Sequence, residues 1–218
     1  MAIRVARKPS DAYQHGSLRE ALVQAGLKLL SEGGARALSL RAAAQLAGVS
    51  HAAPYRHFRD KDALVSAIAE QGFLLLTEAM QAELARCRYE DAPRRLEAMG
   101  QGYIGFALAH PGYLRVIFGG VIDKTNPPQG LLIAGQRAYD VLRGVVARGL
   151  EAGELSGGDP DTVALACWSM VHGFSMLCID QALPSFVDRK AQMKAGAEMV
   201  RLLAVGVRTP ATRPITKR

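Results

Sequence analysis

Residues 39–64 read Ser39-Leu40-Arg41-Ala42-Ala43-Ala44-Gln45-Leu46-Ala47-Gly48-Val49-Ser50-His51-Ala52-Ala53-Pro54-Tyr55-Arg56-His57-Phe58-Arg59-Asp60-Lys61-Asp62-Ala63-Leu64. Two short helical patterns flank Ala47-Gly48-Val49, and Gly48 suits the positive φ of a tight turn. Ser39 is placed to cap the first through Leu46, Ser50 to cap the second, and Asp60 to cap a helix running on to about Arg88. Leu40, Ala43, Ala44, Val49 and Phe58 can pack these elements against a preceding helix. That helix is written in Leu18, Ala21, Leu22, Ala25 and Leu29, one stripe at helical spacing. Ser17 with Glu20 forms a capping-box pattern at its start, and Gly33-Gly34 stops it. A short helix pair of this kind sets its second helix into a DNA major groove.

Outward from this segment the helical period continues. Pro93 and Pro111 sit where helices begin, and helices are predicted at about 93–109, 111–119, 130–152, 160–181 and from after Pro184 to Gly206. Asn126-Pro127-Pro128 marks a loop. Alternating strand patterns are missing, so the fold class is all-α. Residues 1–61 hold ten Lys/Arg against four Asp/Glu, residues 62–204 thirteen against sixteen, and residues 205–218 four against none. A basic head on an acidic body suggests that the head meets a polyanion. The basic stretches 1–14 and 207–218 are expected to be disordered. The 218-residue chain can bury a sizeable core without a metal or disulfide staple.

The ordered motif resembles the TetR family of transcriptional regulators: Ser39, Ala47-Gly48-Val49-Ser50, Tyr55, His57-Phe58, Lys61 and Leu64 match its pattern, and Tyr13 to Glu20 is similar to the start of its first helix. Trp168 with His172-Gly173 resembles the signature of its WHG-type C-terminal subclass. The resemblance implies a three-helix helix-turn-helix head at 15–61 and a larger helical ligand-binding and dimerisation body at 62–206. It implies that Arg41 reads a base edge, where its guanidinium offers bidentate donors to guanine. His51, Ala52 and Ala53 would lie on the leading turn of the recognition helix. Tyr55, His57 and Lys61 would hold phosphates, with Ser50 capping and touching phosphate together and Ser39 leading the first of the two helices. Phe58 is read as core. Pro54 stands where many members carry an aliphatic helix former. Its missing N–H removes the first intrahelical bond, so a tightened or frayed first turn is expected.

In the body, Thr162 to Ile179 are eighteen residues without a charge, thirteen of them apolar. The run is near the lower limit for a membrane span. Asp161 and Asp180 bracket it without a positive cluster, so it is read as a helix buried on all sides. With the last helix it fits the family's four-helix dimer interface, placing homodimer contacts at about 160–181 and 186–206. Tyr103, Phe106, His110, Phe118, Tyr139, Trp168, Met170, His172 and Phe174 are read as candidate lining for an apolar ligand chamber, with plain core packing as the alternative. For His172 alone, a core histidine bonded to a backbone carbonyl is preferred.

The expected partners are a palindromic double-stranded operator, a second copy and an unknown small-molecule effector, with no membrane, cofactor or metal. Cys87, Cys167 and Cys178 form no C-x-x-C pair. Their odd number and the lack of a signal-peptide pattern favour a reducing cytoplasm. No G-x-S-x-G, H-E-x-x-H or P-loop pattern occurs, so an enzyme is not expected. A cysteine-based redox regulator is the alternative function.

Overall fold

In the computed structural model the described residues are 15–122, 125–183 and 188–207. Side-chain acceptors three residues upstream start most of the helices. Ser39 Oγ accepts from the Ala42 amide at 3.0 Å and opens α2 (Leu40–Leu46). Asp60 Oδ1 accepts from the Ala63 amide at 2.8 Å at the head of α3 (Lys61–Arg86). Asp91, Asp159 and Asp188 do the same for α4 (Ala92–Ala109), α7 (Pro160–Ile179) and α8 (Arg189–Gly206). Each such cap satisfies an orphan amide donor and contributes about 1 kcal/mol. α5 (Pro111–Phe118) and α6 (Gln129–Glu151) begin without a side-chain cap. The first helix, α1, covers His15–Ala37 with a break at Gly34. The Ser17 side chain and residues 1–14 and 208–218 lie outside the described residues, as do 184–187, where the sequence reading begins the last helix.

The chain divides into two compact units inside α3, between Ile68 and Ala69; the sequence reading puts the division at Lys61. In the first unit α1 packs on α2 and α2 on a short turn. Leu22, Leu40, Ala43, Ala44, Phe58, Leu64 and Ile68 form its core. Gly48 connects α2 to the turn at φ 70°, a conformation that side chains with a Cβ adopt at a cost.

One element departs from expectation. The α-helix read from a Ser50 cap is instead a four-residue 3₁₀ turn, Ala53–Arg56, whose preceding residue is Ala52 with no side-chain cap. The Ser50 carbonyl accepts from the Ala53 amide at 3.0 Å, and the Pro54 carbonyl accepts from both His57 and Phe58 amides at 2.9 Å. Pro54 donates nothing, so the i→i−4 ladder cannot start before it, and the turn tightens to i→i+3 spacing. Pro54 itself is fully buried and serves as core.

In the second unit α4 is the central helix, packed on α5, α6, α7 and α8. Its approach to α3 requires the missing side chain of Gly102. A Cβ there would lie 2.7 Å from the Ala79 carbonyl oxygen and 2.9 Å from Met80 Cα, both backbone atoms. Two residues earlier, on another side of the helix, a Cβ on Gly100 would meet Val200 of α8 at 2.7 Å. Gly→Ala inside a helix normally stabilises by about 0.5–1 kcal/mol. We expect Gly105→Ala, which faces open space, to show that gain in urea unfolding. Gly102→Ala reverses the sign and should cost roughly 1–3 kcal/mol, because two helix backbones must part.

Candidate nucleic-acid interface and ligand chamber

On the first unit, Ser39, Arg41, Ser50, His51, Ala52 and Tyr55 are exposed, and Ala53, His57 and Lys61 are half-buried. Tyr55 is 57% exposed, whereas Phe58, three residues on, is 3% exposed. The separation follows from the turn, which points Pro54 and Phe58 inward. The Arg19 guanidinium lies 5.8 Å from the centroid of the Phe58 ring, so the buried ring also holds a cation at the surface. The Lys61 ammonium donates to the Ala35 carbonyl just beyond the break in α1. Arg56 and Arg59 are exposed as well and were not among the sequence candidates; Arg59 pairs with Asp60 at 2.9 Å. Their signal was charge alone, which does not separate a contact residue from a solvated one.

The second unit contains a cavity of about 180 Å³. Its wall comes from α3 to α8, and none of the described residues lining it carries a charge. Four sequence candidates line it: Tyr103, Phe118, Tyr139 and Trp168. The rest of the wall is chiefly aliphatic, including Leu76, Leu96, Met99 and Val171. These carry no sequence signal that separates them from ordinary core.

His172 stands behind this wall. Its Nδ1 is 2.9 Å from the Tyr103 hydroxyl, and its ring lies 4.5 Å from the Phe118 ring, centroid to centroid. The partner is therefore a phenol, not the backbone carbonyl expected. Burial pushes the Tyr103 phenol up to about 12, with the Trp168 indole beside it pulling weakly downward. Burial also pushes the His172 imidazole below its ordinary value, so both groups are neutral at pH 7. Tyr139 closes one side. Its hydroxyl bonds Asp161 at 3.3 Å, and Arg143 pairs with the same carboxylate at 2.7 Å. The Arg143 hydrogen bond is the chief reason that the Asp161 carboxyl is held below its usual range.

The other candidates lie elsewhere. Phe106 and His110 cluster with Tyr113 at the α4–α5 junction, with centroids 5.2–6.4 Å apart. Met170 is 39% exposed on the outer side of α7. Phe174 packs over Gly196 of α8. Among the described residues no group of three His, Cys, Asp or Glu side chains could hold a metal ion.

With this geometry in view, the comparisons agree. Residues 22–68 match the family described as bacterial regulatory proteins, tetR family, and residues 96–201 match the tetracyclin repressor-like C-terminal domain. A solved structure of a Rhodococcus sp. RHA1 protein of unknown function is 33% identical, with 90% of this chain and 98% of that one covered at TM-score 0.75. The nucleoid occlusion factor SlmA of Marinobacter nauticus is 29% identical over 66% of this chain and 72% of its own length. The regulator FadR of Bacillus subtilis, solved with stearoyl-CoA, shares the fold at TM-score 0.71 and 14% identity, over 86% of this chain and 98% of its own.

An N-terminal helix-turn-helix head followed by a helical body, with helices throughout the described residues, defines a DNA-binding regulator. The chain belongs to the TetR family of transcriptional regulators. Two helices, α3 and α7, are long and apolar enough to cross a bilayer by composition. In this fold they are packed elements of a DNA-binding protein, and they do not mark a membrane protein.

The thiols differ sharply. Cys167 and Cys178 are buried and Cys87 is half-buried. Burial pushes the Cys167 thiol up to about 11 and raises that of Cys178. A raised value keeps both protonated and unreactive through neutral pH. In a thiol-reagent titration at pH 8, the native protein should show one fast thiol, absent in Cys87→Ser. Cys167 and Cys178 should react only after denaturation.

Proposed function

We propose that this regulator is a homodimeric repressor that holds a two-fold symmetric operator through residues 39–61 and leaves it when a small apolar molecule fills the chamber. The observation that carries the reading is the uncharged cavity of about 180 Å³ in the body of a family of DNA-binding regulators. A ligand that fills such a cavity stabilises the form that holds it and shifts any equilibrium between forms that hold it differently. FadR, solved with stearoyl-CoA, is a precedent for a ligand in this fold.

The dimer reading is supported by exposed apolar side chains on the last two helices: Leu165, Met170 and Leu177 on α7, Leu202 and Val205 on α8. An apolar row of this kind is stable in water when a second copy covers it. In the head, Arg41 is assigned a base edge, with His51, Ala52 and Ala53 on the leading face. Ser39, Ser50, Tyr55, His57 and Lys61 are assigned to the phosphates. The reading face is small and apolar, suited to thymine methyls more than to many base hydrogen bonds. Such a regulator works in the cytoplasm, and nothing in the reading calls for an enzyme activity or a cofactor.

The roles separate by experiment. Binding of labelled DNA from the gene's own upstream region should weaken uniformly over all sequences for Tyr55→Phe and Lys61→Ala, since phosphate contacts position but do not specify. Lys61→Ala should also flatten the salt dependence by about one unit. Arg41→Ala should relax preference at one symmetric base pair, at roughly 1–3 kcal/mol per contact. Uniform loss for Arg41→Ala, or a monomer by ultracentrifugation, would overturn the corresponding part.

A further inference from the structure

The polar atoms on the chamber wall are few, and each has a definite state. Tyr139 carries its hydroxyl out to the exposed Asp161 carboxylate, away from the chamber. Cys167 is a buried, protonated thiol, a poor hydrogen-bonding partner. Trp168 offers only an N–H. Tyr103 is different. Its hydroxyl is 2.9 Å from His172 Nδ1, and the imidazole tautomer sets which of the two donates. The Trp168 N–H bears on the same hydroxyl. A hydroxyl carries one O–H and two lone pairs, so one bonding position remains in either arrangement. No buried side-chain polar atom among the described residues lacks a partner, so the site needs nothing from a ligand but offers it one hydrogen bond.

Size sets the second limit. An apolar cavity of about 150 Å³ takes benzene, and drug-sized ligands need roughly 300–1,000 Å³. A cavity of about 180 Å³ takes one ring with small substituents. Charge sets the third. With no charged lining residue, a carboxylate would be buried unpaired, which is strongly unfavourable.

From this cavity and its single available hydroxyl we infer that the chamber's ligand is a compact, neutral, one-ring molecule bearing one small hydrogen-bonding group such as a hydroxyl, seated on the Tyr103 hydroxyl. The inference rests on the chamber being the effector site. It separates this protein from the FadR structure, whose bound stearoyl-CoA is far too large and too charged for such a cavity.

The test is calorimetry on the full chain with four probes: 4-methylphenol, p-xylene, 4-methylbenzoate and octanoyl-CoA. The first two differ only by hydroxyl for methyl. 4-Methylphenol should bind at least about fivefold more tightly than p-xylene, the worth of one net hydrogen bond. The carboxylate and the thioester should not bind. Tyr103→Phe should erase or invert the preference while keeping p-xylene affinity, and Ala138→Leu, which fills the chamber, should weaken both ring compounds. p-Xylene binding as tightly as 4-methylphenol would overturn the inference, as would tighter binding of the benzoate or the thioester, or no binding by any ring compound. Should Tyr103→Phe fail to fold, the four-probe series on the unmodified chain still decides. DNA affinity measured alongside separates the two readings. Bound 4-methylphenol with unchanged DNA affinity removes the effector role and leaves the ligand class standing. DNA release by octanoyl-CoA alone keeps the effector role and removes the class.

Discussion

Helix α4 lies directly on the backbone of α3, with Gly102 over Ala79 and Met80. That contact sets where everything else in the second unit can go. The next residue, Tyr103, and the preceding turn, Leu96 and Met99, are carried to the chamber wall beside Leu76 and Met80 of α3. On another side of the same helix Gly100 admits Val200 of α8, which also lines the chamber. A methyl group at either glycine would push two helices apart in a unit where close packing transmits small displacements. The cavity is the space left when five other helices are arranged round α4.

The surrounding polar ties hold these helices in register without placing charge in the wall. Arg143 and Tyr139 of α6 grip Asp161 at the start of α7. Arg115 of α5 donates to the Ile179 carbonyl at 2.9 Å and to Asp180 at 3.2 Å at the other end of α7. A cation at a helix C-terminus is favourable with the helix dipole, as an anion is at the N-terminus. Both ion pairs are about half exposed, so each adds little stability of its own. Their effect is to fix the ends of a helix whose middle is wholly uncharged.

Much of this was legible from local chemistry. Ser39, Asp60 and Asp159 announce helix starts because a side-chain acceptor three residues ahead of an amide is a local interaction. Gly48 announces a left-handed turn for the same reason. Pro54 announces a weakened helix, though not that the whole element would become a 3₁₀ turn around a buried proline. The chamber was legible only in part, because it is a non-local object. Tyr103 and Phe106 are one turn apart on α4, yet that helix touches four later ones, so neighbouring positions face different partners. Tyr103 meets His172 of α7, while Phe106 meets Tyr113 of α5. Sequence spacing treats them alike. Likewise Met170 and His172 are two residues apart on α7, and the 3.6-residue period turns one to solvent and the other to the wall.

The short turn of the head keeps its buried and its exposed side chains on separate residues. Pro54 and Phe58 are buried, while His51, Ala52, Tyr55 and Arg56 are exposed. Substitution at an exposed position away from caps and buried networks usually changes stability by no more than about 0.5 kcal/mol. On the proposed roles, drift at His51 and Ala52 alters which sequence the head prefers without endangering its fold. After gene duplication, a copy could acquire a new set of target genes by a few such changes. Its scaffold would remain unchanged through every intermediate step.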